Sequence, residues 1–247
     1  MPLLHADGRV FDCDAILLDK DGTLLDFKVM WLEWSRYIID EIMAALKWEA
    51  VSRKTLEDAM GVDLAGWHVD PEGPLAGGTM TGLRDALVHV LEQAGMSGKA
   101  AHGLVTDVAR RSETAMDWGF LTRPVPGLEE QLANLRRGKF KLAVVTADVT
   151  ERSRLSLASL QLIDYFDAVI GADLVKETKP APDMALLACS RLGVKPERAV
   201  VVGDTPRDVF MAKSVGSGSI GVLSGVCTRE QLSVADAVVQ SVSELRV

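Results

Sequence analysis

Apolar and polar positions alternate along this chain in two distinct rhythms. Ala15-Ile16-Leu17-Leu18 is a continuous apolar run that ends abruptly in Asp19-Lys20-Asp21-Gly22-Thr23. Such a run predicts a strand buried on both faces of a parallel sheet, with its charged end at the carboxyl edge where open α/β sheets place ligands. From about residue 28 the period becomes helical: Met30, Trp31, Trp34, Ile38, Ile42 and Leu46 mark one helix over 29–46, and 81–94 and 100–116 predict two more. Between them Gly61–Thr79 holds five glycines and two prolines, which excludes a regular helix. All five tryptophans (31, 34, 48, 67, 118) fall in or beside this region, so we expect a small helical unit with an aromatic core.

After Thr122-Arg123-Pro124-Val125-Pro126-Gly127 strands and helices alternate. The pattern predicts strands at 141–146, 168–171, 199–202, 219–223 and 237–239, and helices at 128–137, 150–160, 183–192 and 206–215. That order implies βαβ units with right-handed crossovers. The expected fold class is α/β: a doubly wound, Rossmann-like parallel sheet core (residues 1–27 and 119–247), interrupted after its first strand by an all-helical cap domain (residues 28–118).

Composition narrows the partners. The 247 residues carry 27 Lys and Arg against 35 Asp and Glu, a net charge of −8, which disfavours tracking of a nucleic-acid backbone. Apolar runs are strand-sized, so no membrane span is expected, and the first residues lack the basic and apolar regions of a secretory signal. Three scattered cysteines (13, 189, 227) exclude a disulfide framework and fit a reducing cytoplasm. The four histidines show no zinc-site spacing. His68 beside Trp67 reads as a surface loop residue rather than a substrate contact. Trp31 and Trp34 are the aromatics with a second reading as substrate contacts. Gly216-Ser217-Gly218-Ser219-Ile220-Gly221 has dinucleotide-fingerprint spacing but follows a helix and leads into a strand, the reverse of what that site needs, so it reads as a turn.

Four segments bring candidate chemistry to one sheet edge: Asp19-x-Asp21, Thr146, Lys179, and Gly203-Asp204-Thr205-x-x-Asp208. Converging carboxylates repel and call for a cation, and oxygen donors select a hard ion, Mg²⁺. A lysine and a hydroxyl beside Mg²⁺ make a phosphate site. One aspartate can serve as nucleophile, and a second, two residues on, as acid and base. Gly22 permits the turn out of the sheet. Singly, each residue has a plainer reading: Asp before Gly is common in turns, Thr146 can cap a helix, Lys179 can lie at the surface, and Asp208 suits a first helical turn.

In order and spacing, Asp19-Lys20-Asp21-Gly22-Thr23-Leu24, Thr146, Lys179-Pro180-x-Pro182-Asp183 and Gly203-Asp204-Thr205-x-x-Asp208 resemble the four motifs of the haloacid dehalogenase-like superfamily. The insertion after the first strand resembles the helical cap of its phosphoglycolate phosphatase-like branch, which can close over a site and exclude water. The resemblance implies Asp19 as nucleophile and metal ligand, and Asp21 as acid/base with its carbonyl on the metal. It implies Asp204 as third protein ligand, Asp208 as a supporting carboxylate beside Gly22 and Thr23, and Thr146, the Ala147 N–H and Lys179 as holders of the phosphoryl group. Ala147-Asp148 stands where many relatives have Asn. Lys176 is an alternative to Lys179, although the Lys-Pro-x-Pro-Asp context favours the latter. The implied activity is Mg²⁺-dependent hydrolysis of a small phosphate ester by a monomer or homodimer, with phosphomutase as the alternative. Dehalogenase chemistry fits less well because Asp21 and Asp204 are both present, and a non-catalytic binding protein because no motif carboxylate is missing.

Overall fold

The computed structural model describes residues 2–46 and 51–247, so Trp48 lies outside the described residues. The chain divides into two compact units, residues 1–27 with 122–247, and residues 28–121.

The first unit begins with an antiparallel hairpin, β1 (Leu3–Ala6) and β2 (Arg9–Asp12). It turns at Asp7 and Gly8, both at positive φ (50° and 73°), as a two-residue hairpin turn requires. Strand β3 (Ala15–Leu18) follows, with all four side chains buried.

The second unit contains α1 (Phe27–Ala45, its first residue shared with the other unit), α2 (Arg53–Met60), short strands β4 (Val62–Asp63) and β5 (His68–Val69), a single turn α3 (Pro74–Gly77), α4 (Met80–Gln93), α5 (Gly98–Ala115) and a turn α6 (Trp118–Leu121). Three helices are capped by side chains that precede them. Ser52, Thr79 and Ser97 accept from the N–H groups of Thr55, Gly82 and Ala100, satisfying donors the helix leaves unpaired. The all-helical expectation is corrected by the β4–β5 ladder, which takes up part of the glycine-rich stretch. The aromatic-core expectation is also amended. Trp34 is buried and donates from Nε1 to Ser112 Oγ (3.0 Å), and Trp31 packs edge-on against it at 5.6 Å. Trp67 is exposed, and aliphatic residues such as Ile38, Ile42, Leu56, Leu83, Leu87 and Val105 fill the interior. His68 is exposed on β5.

The first unit resumes with α7 (Leu128–Arg137), β6 (Lys141–Val145), α8 (Thr150–Ser159), β7 (Ala168–Ile170), α9 (Asp183–Leu192), β8 (Ala199–Gly203), α10 (Pro206–Ser214), β9 (Gly218–Val222) and β10 (Ala237–Val239). Six strands form one parallel sheet in the order β10-β9-β8-β3-β6-β7. The doubly wound α/β core expected from the alternating pattern is therefore present. One face, including Ala15, Leu17, Ala143, Val145 and Val201, packs under Met184, Ala188 and Leu192 of α9 and Met211 and Ala212 of α10. The chain runs outward from β3 to β7, then returns to β8 on the other side of β3. This reversal is a topological switch point, where neighbouring strand ends diverge and leave room for a ligand. Gly216-Ser217 turns from α10 into β9, as read. No helix among the described residues is long and apolar enough to cross a membrane.

Candidate active site

Register carries the motif residues to the switch point. Leu18 pairs with Val144 on one side and Val202 on the other, so Asp19, Thr146 and Asp204 leave three adjacent strands at the same edge. The Asp19 N–H donates to Val202 O (2.9 Å), which holds the residue to the end of the sheet. Lys179 reaches the edge from the segment between β7 and α9. That segment is fixed by Arg207, whose Nε donates to Lys179 O (3.0 Å), and by Asp183, which accepts from the Glu177 N–H (3.2 Å).

Four side chains meet. Lys179 Nζ lies 2.5 Å from Asp19 Oδ1 and 2.6 Å from Asp208 Oδ1. Asp208 also accepts at Oδ2 from Thr205 Oγ1 (2.7 Å) and the Thr205 N–H (3.2 Å). Its first-turn role and its ion pair therefore coexist. Asp204 accepts from the Val226 N–H (3.3 Å). Gly22, at φ +90°, and Gly225 press on the Asp204 carboxylate so closely that a Cβ at either would overlap it. Gly22 O accepts from Ser224 Oγ (2.7 Å). Thr23 is fully buried, and its Oγ1 has no hydrogen-bond partner. Lys176, the alternative lysine, is exposed.

The electrostatics follow from crowding like charges in a dry site. Burial, with Asp208 and Asp21 adding to it against the pull of Lys179, pushes the Asp19 carboxyl up to about 7. Burial, then Asp19 and Asp208, lifts Asp204 well above the ordinary carboxylate range. Burial works against the Lys179 ammonium, but Asp19 and Asp208 outweigh it and hold the group above its usual value.

Asp21 and Thr146 flank this cluster. Asp21 Oδ2 is paired with Lys20 (3.1 Å), while its Oδ1 is buried and has no hydrogen-bond partner. Thr146 is buried, and its Oγ1 accepts from the Asp148 N–H (3.1 Å), which leaves the hydroxyl proton for another acceptor. Ala147 is exposed at the turn. Among the described residues no three His, Cys, Asp or Glu side chains form a ready metal cluster. Asp19 and Asp204, two buried carboxylates of which the first raises the pKa of the second, still make a hard-oxygen pair suited to Mg²⁺, which keeps several waters and takes few protein ligands.

Sequence reasoning left out Lys20, Asp148, Arg207, Ser224 and Gly225. A lysine between two motif aspartates was the available signal for the first.

Ionising Asp204 costs the fold stability. The folded protein holds its proton more tightly than the unfolded chain, so the penalty is absent below the ordinary carboxylate range and sets in as pH rises above it. Asp204→Asn is expected to raise the Tm of metal-free protein at pH 8 by a few degrees, about 1–2 kcal/mol at roughly 2–4 °C per kcal/mol. Little change is expected at pH 4. Calorimetry at the two pH values checks this, and a lower Tm at pH 8 would contradict it.

A family model described as haloacid dehalogenase-like hydrolase matches residues 13–216. "Probable phosphatase IndB" of Dickeya dadantii (strain 3937) is 43% identical over 122 residues, 49% of this chain and 53% of that protein. Phosphoglycolate phosphatase of Escherichia coli (strain K12) is 34% identical over 122 residues, 49% of this chain and 48% of that protein. The chain thus spans about half the length of the curated relatives it matches. Solved structures share the fold across nearly all of it. CbbY from Rhodobacter sphaeroides, in complex with phosphate, gives a TM-score of 0.61 at 24% identity, covering 94% of this chain and 96% of that one. The beta-phosphoglucomutase of Clostridium difficile gives 0.62 at 17% identity, covering 94% and 92%.

Proposed function

The chain belongs to the haloacid dehalogenase-like hydrolases, and on that premise we propose that it is a Mg²⁺-dependent phosphatase acting on a small phosphate monoester, phosphoglycolate or a sugar phosphate. The observation that carries this reading is the buried carboxylate of Asp19 at the switch point, with Lys179 Nζ on its Oδ1 and Asp204 in the same crowded cluster. The phosphatase names of the relatives support it.

In the first half-reaction an Asp19 carboxylate oxygen attacks phosphorus. The ester P–O bond breaks, its electron pair stays on the leaving oxygen, and that oxygen takes a proton from Asp21. The product alcohol leaves, and the phosphoryl group stays on Asp19 as an acyl phosphate. In the second half Asp21 accepts a proton from water as the water oxygen attacks phosphorus. The Asp19–phosphoryl bond breaks, which releases phosphate and restores both aspartates. Lys179, the Thr146 hydroxyl and the Ala147 N–H hold the phosphoryl oxygens, and the ammonium offsets their charge. Asp19, Asp204 and the Asp21 carbonyl would hold Mg²⁺. Bound there, the ion would neutralise charge on the phosphoryl group and on the carboxylates around it.

The test is phosphate release from a panel of phosphoglycolate, sugar phosphates, nucleotides and pyrophosphate, with Mg²⁺ and after chelation. We expect release from a small monoester, lost on chelation and restored by Mg²⁺. Release that survives thorough chelation would remove the metal assignment. Isomerisation of glucose 1-phosphate without net phosphate release would replace hydrolysis by mutase chemistry.

A further inference from the structure

Lys20 has no part in that chemistry, yet it is 1% exposed. A buried ammonium is costly unless it is closely paired. Its Nζ lies 3.1 Å from Asp21 Oδ2 and 3.1 Å from Asp148 Oδ2. Asp148 is anchored in turn. Its N–H donates to Thr146 Oγ1 (3.1 Å), its Oδ1 accepts from the Val149 N–H (2.7 Å), and Arg152 Nε lies 3.5 Å from that oxygen. The ammonium therefore ties the loop after β3 to the loop after β6, joining residues 128 positions apart. It also makes the two oxygens of Asp21 unequal, because Oδ2 is occupied while Oδ1 is buried without a partner.

Building on the reading of Asp21 as acid and base, we propose that Lys20 is a positioning residue that holds the Asp21 carboxyl through Oδ2 and confines its reacting proton to Oδ1. An ammonium donates three hydrogens and accepts none, so it favours the unprotonated oxygen as its acceptor and shifts the carboxyl proton to the other oxygen. A carboxyl not held in this way can present either oxygen at a range of angles. Fixing one oxygen leaves the other aimed and pre-organised, and misplacement by about 1 Å can cost on the order of 10²-fold. During hydrolysis the leaving oxygen takes the proton from Oδ1, and water returns one to Oδ1. Lys20 itself exchanges no proton.

Lys20→Met removes the ammonium and keeps an apolar chain of similar length. Leaving-group release is measured in a single turnover with enzyme in excess, on two probes. One is p-nitrophenyl phosphate, whose phenolate departs without a proton. The other is the alkyl phosphate turned over fastest in the panel above, whose alkoxide needs one. We expect the alkyl ester to slow by about 10²-fold, the scale of general-acid catalysis. The aryl ester should slow by no more than about threefold, with little change in the concentration giving half-maximal rate. Equal slowing on both esters would overturn the proposal, since lost phosphate binding or a disturbed fold affects both alike. Should Lys20→Met fail to fold, Asp148→Asn carries the same test. It loosens the far end of the tie, and a smaller loss confined to the alkyl ester is expected, whereas an equal loss on both esters overturns the proposal. A wild-type protein inert on every ester, or a fully active Asp19→Asn variant, refutes the phosphatase reading itself and is distinguishable from failure at Lys20.

Discussion

Asp19→Asn is expected to lower phosphate release by roughly four orders of magnitude or more, the scale on which loss of a nucleophile is felt. The amide has nearly the shape of the carboxylate and retains an oxygen that can accept from Lys179 Nζ, which lies 2.5 Å from Oδ1 in the native protein. The fold should therefore survive while the anionic nucleophile is lost, since a neutral amide oxygen is a poor nucleophile toward phosphorus. Phosphate release and Tm measured together separate the two effects. A variant that folds and keeps full turnover would contradict the assignment of Asp19.

Lys179→Met should have the second-largest effect, and on two properties. Turnover is expected to fall by about 10²–10³-fold, the loss typical of removing a donor from a developing anion. Stability should also fall, because the ammonium bridges the Asp19 and Asp208 carboxylates, and breaking a buried pair costs about 3–5 kcal/mol. The pH dependence has a definite sign. The Lys179 pKa is raised, so its contribution is present at every pH below its ordinary value and is lost only in strong alkali. Asp19, pushed up to about 7 by burial, is protonated below that point and needs no partner there. The stability lost in Lys179→Met should accordingly grow as pH rises through about 7. Metal-free unfolding curves at pH 5 and pH 8 test it, and a larger loss at pH 5 would contradict this account.

The central sheet was readable because parallel strands are buried on both faces. Ala15–Leu18 and Ala199–Gly203 have no exposed position, so they stand out as short apolar runs. The hairpin of β1 and β2 lies outside the expected elements although Asp7-Gly8 is a strong turn signal, because its strands are only four residues long and β2 has no buried position to set an alternating pattern. Helix α2 is short and largely polar along its length, with Leu56 and Met60 among its buried side chains. Its signal lay in its ends, Ser52 before it and Gly61 at φ 73° after it. Trp34 is buried with Trp31 packed against it, as an aromatic core requires, whereas Trp67 is exposed and aliphatic side chains fill much of the interior, so ring size alone does not decide burial.

At the candidate site, the expected convergence rested on strand ends, and register delivers it for Asp19, Thr146 and Asp204. What spacing could not give were pairings across large separations. Lys20 with Asp148 is one, and the Gly225–Val226 turn pressed on Asp204 is another. The two flanking aspartates mark Lys20 locally, but its burial and its distant partner Asp148 have no local signature, because lysine is so commonly exposed.

The most direct test of the account is rapid acid quenching of the wild-type protein during turnover of its fastest ester with Mg²⁺, followed by mass analysis of the peptide that contains Asp19. The account predicts a phosphoryl adduct on Asp19 that appears before phosphate is released and is absent from Asp19→Asn. Phosphate release at the full rate with no phosphoryl group on the protein would contradict it, since the water would then attack the ester directly and Asp19 would not be the nucleophile.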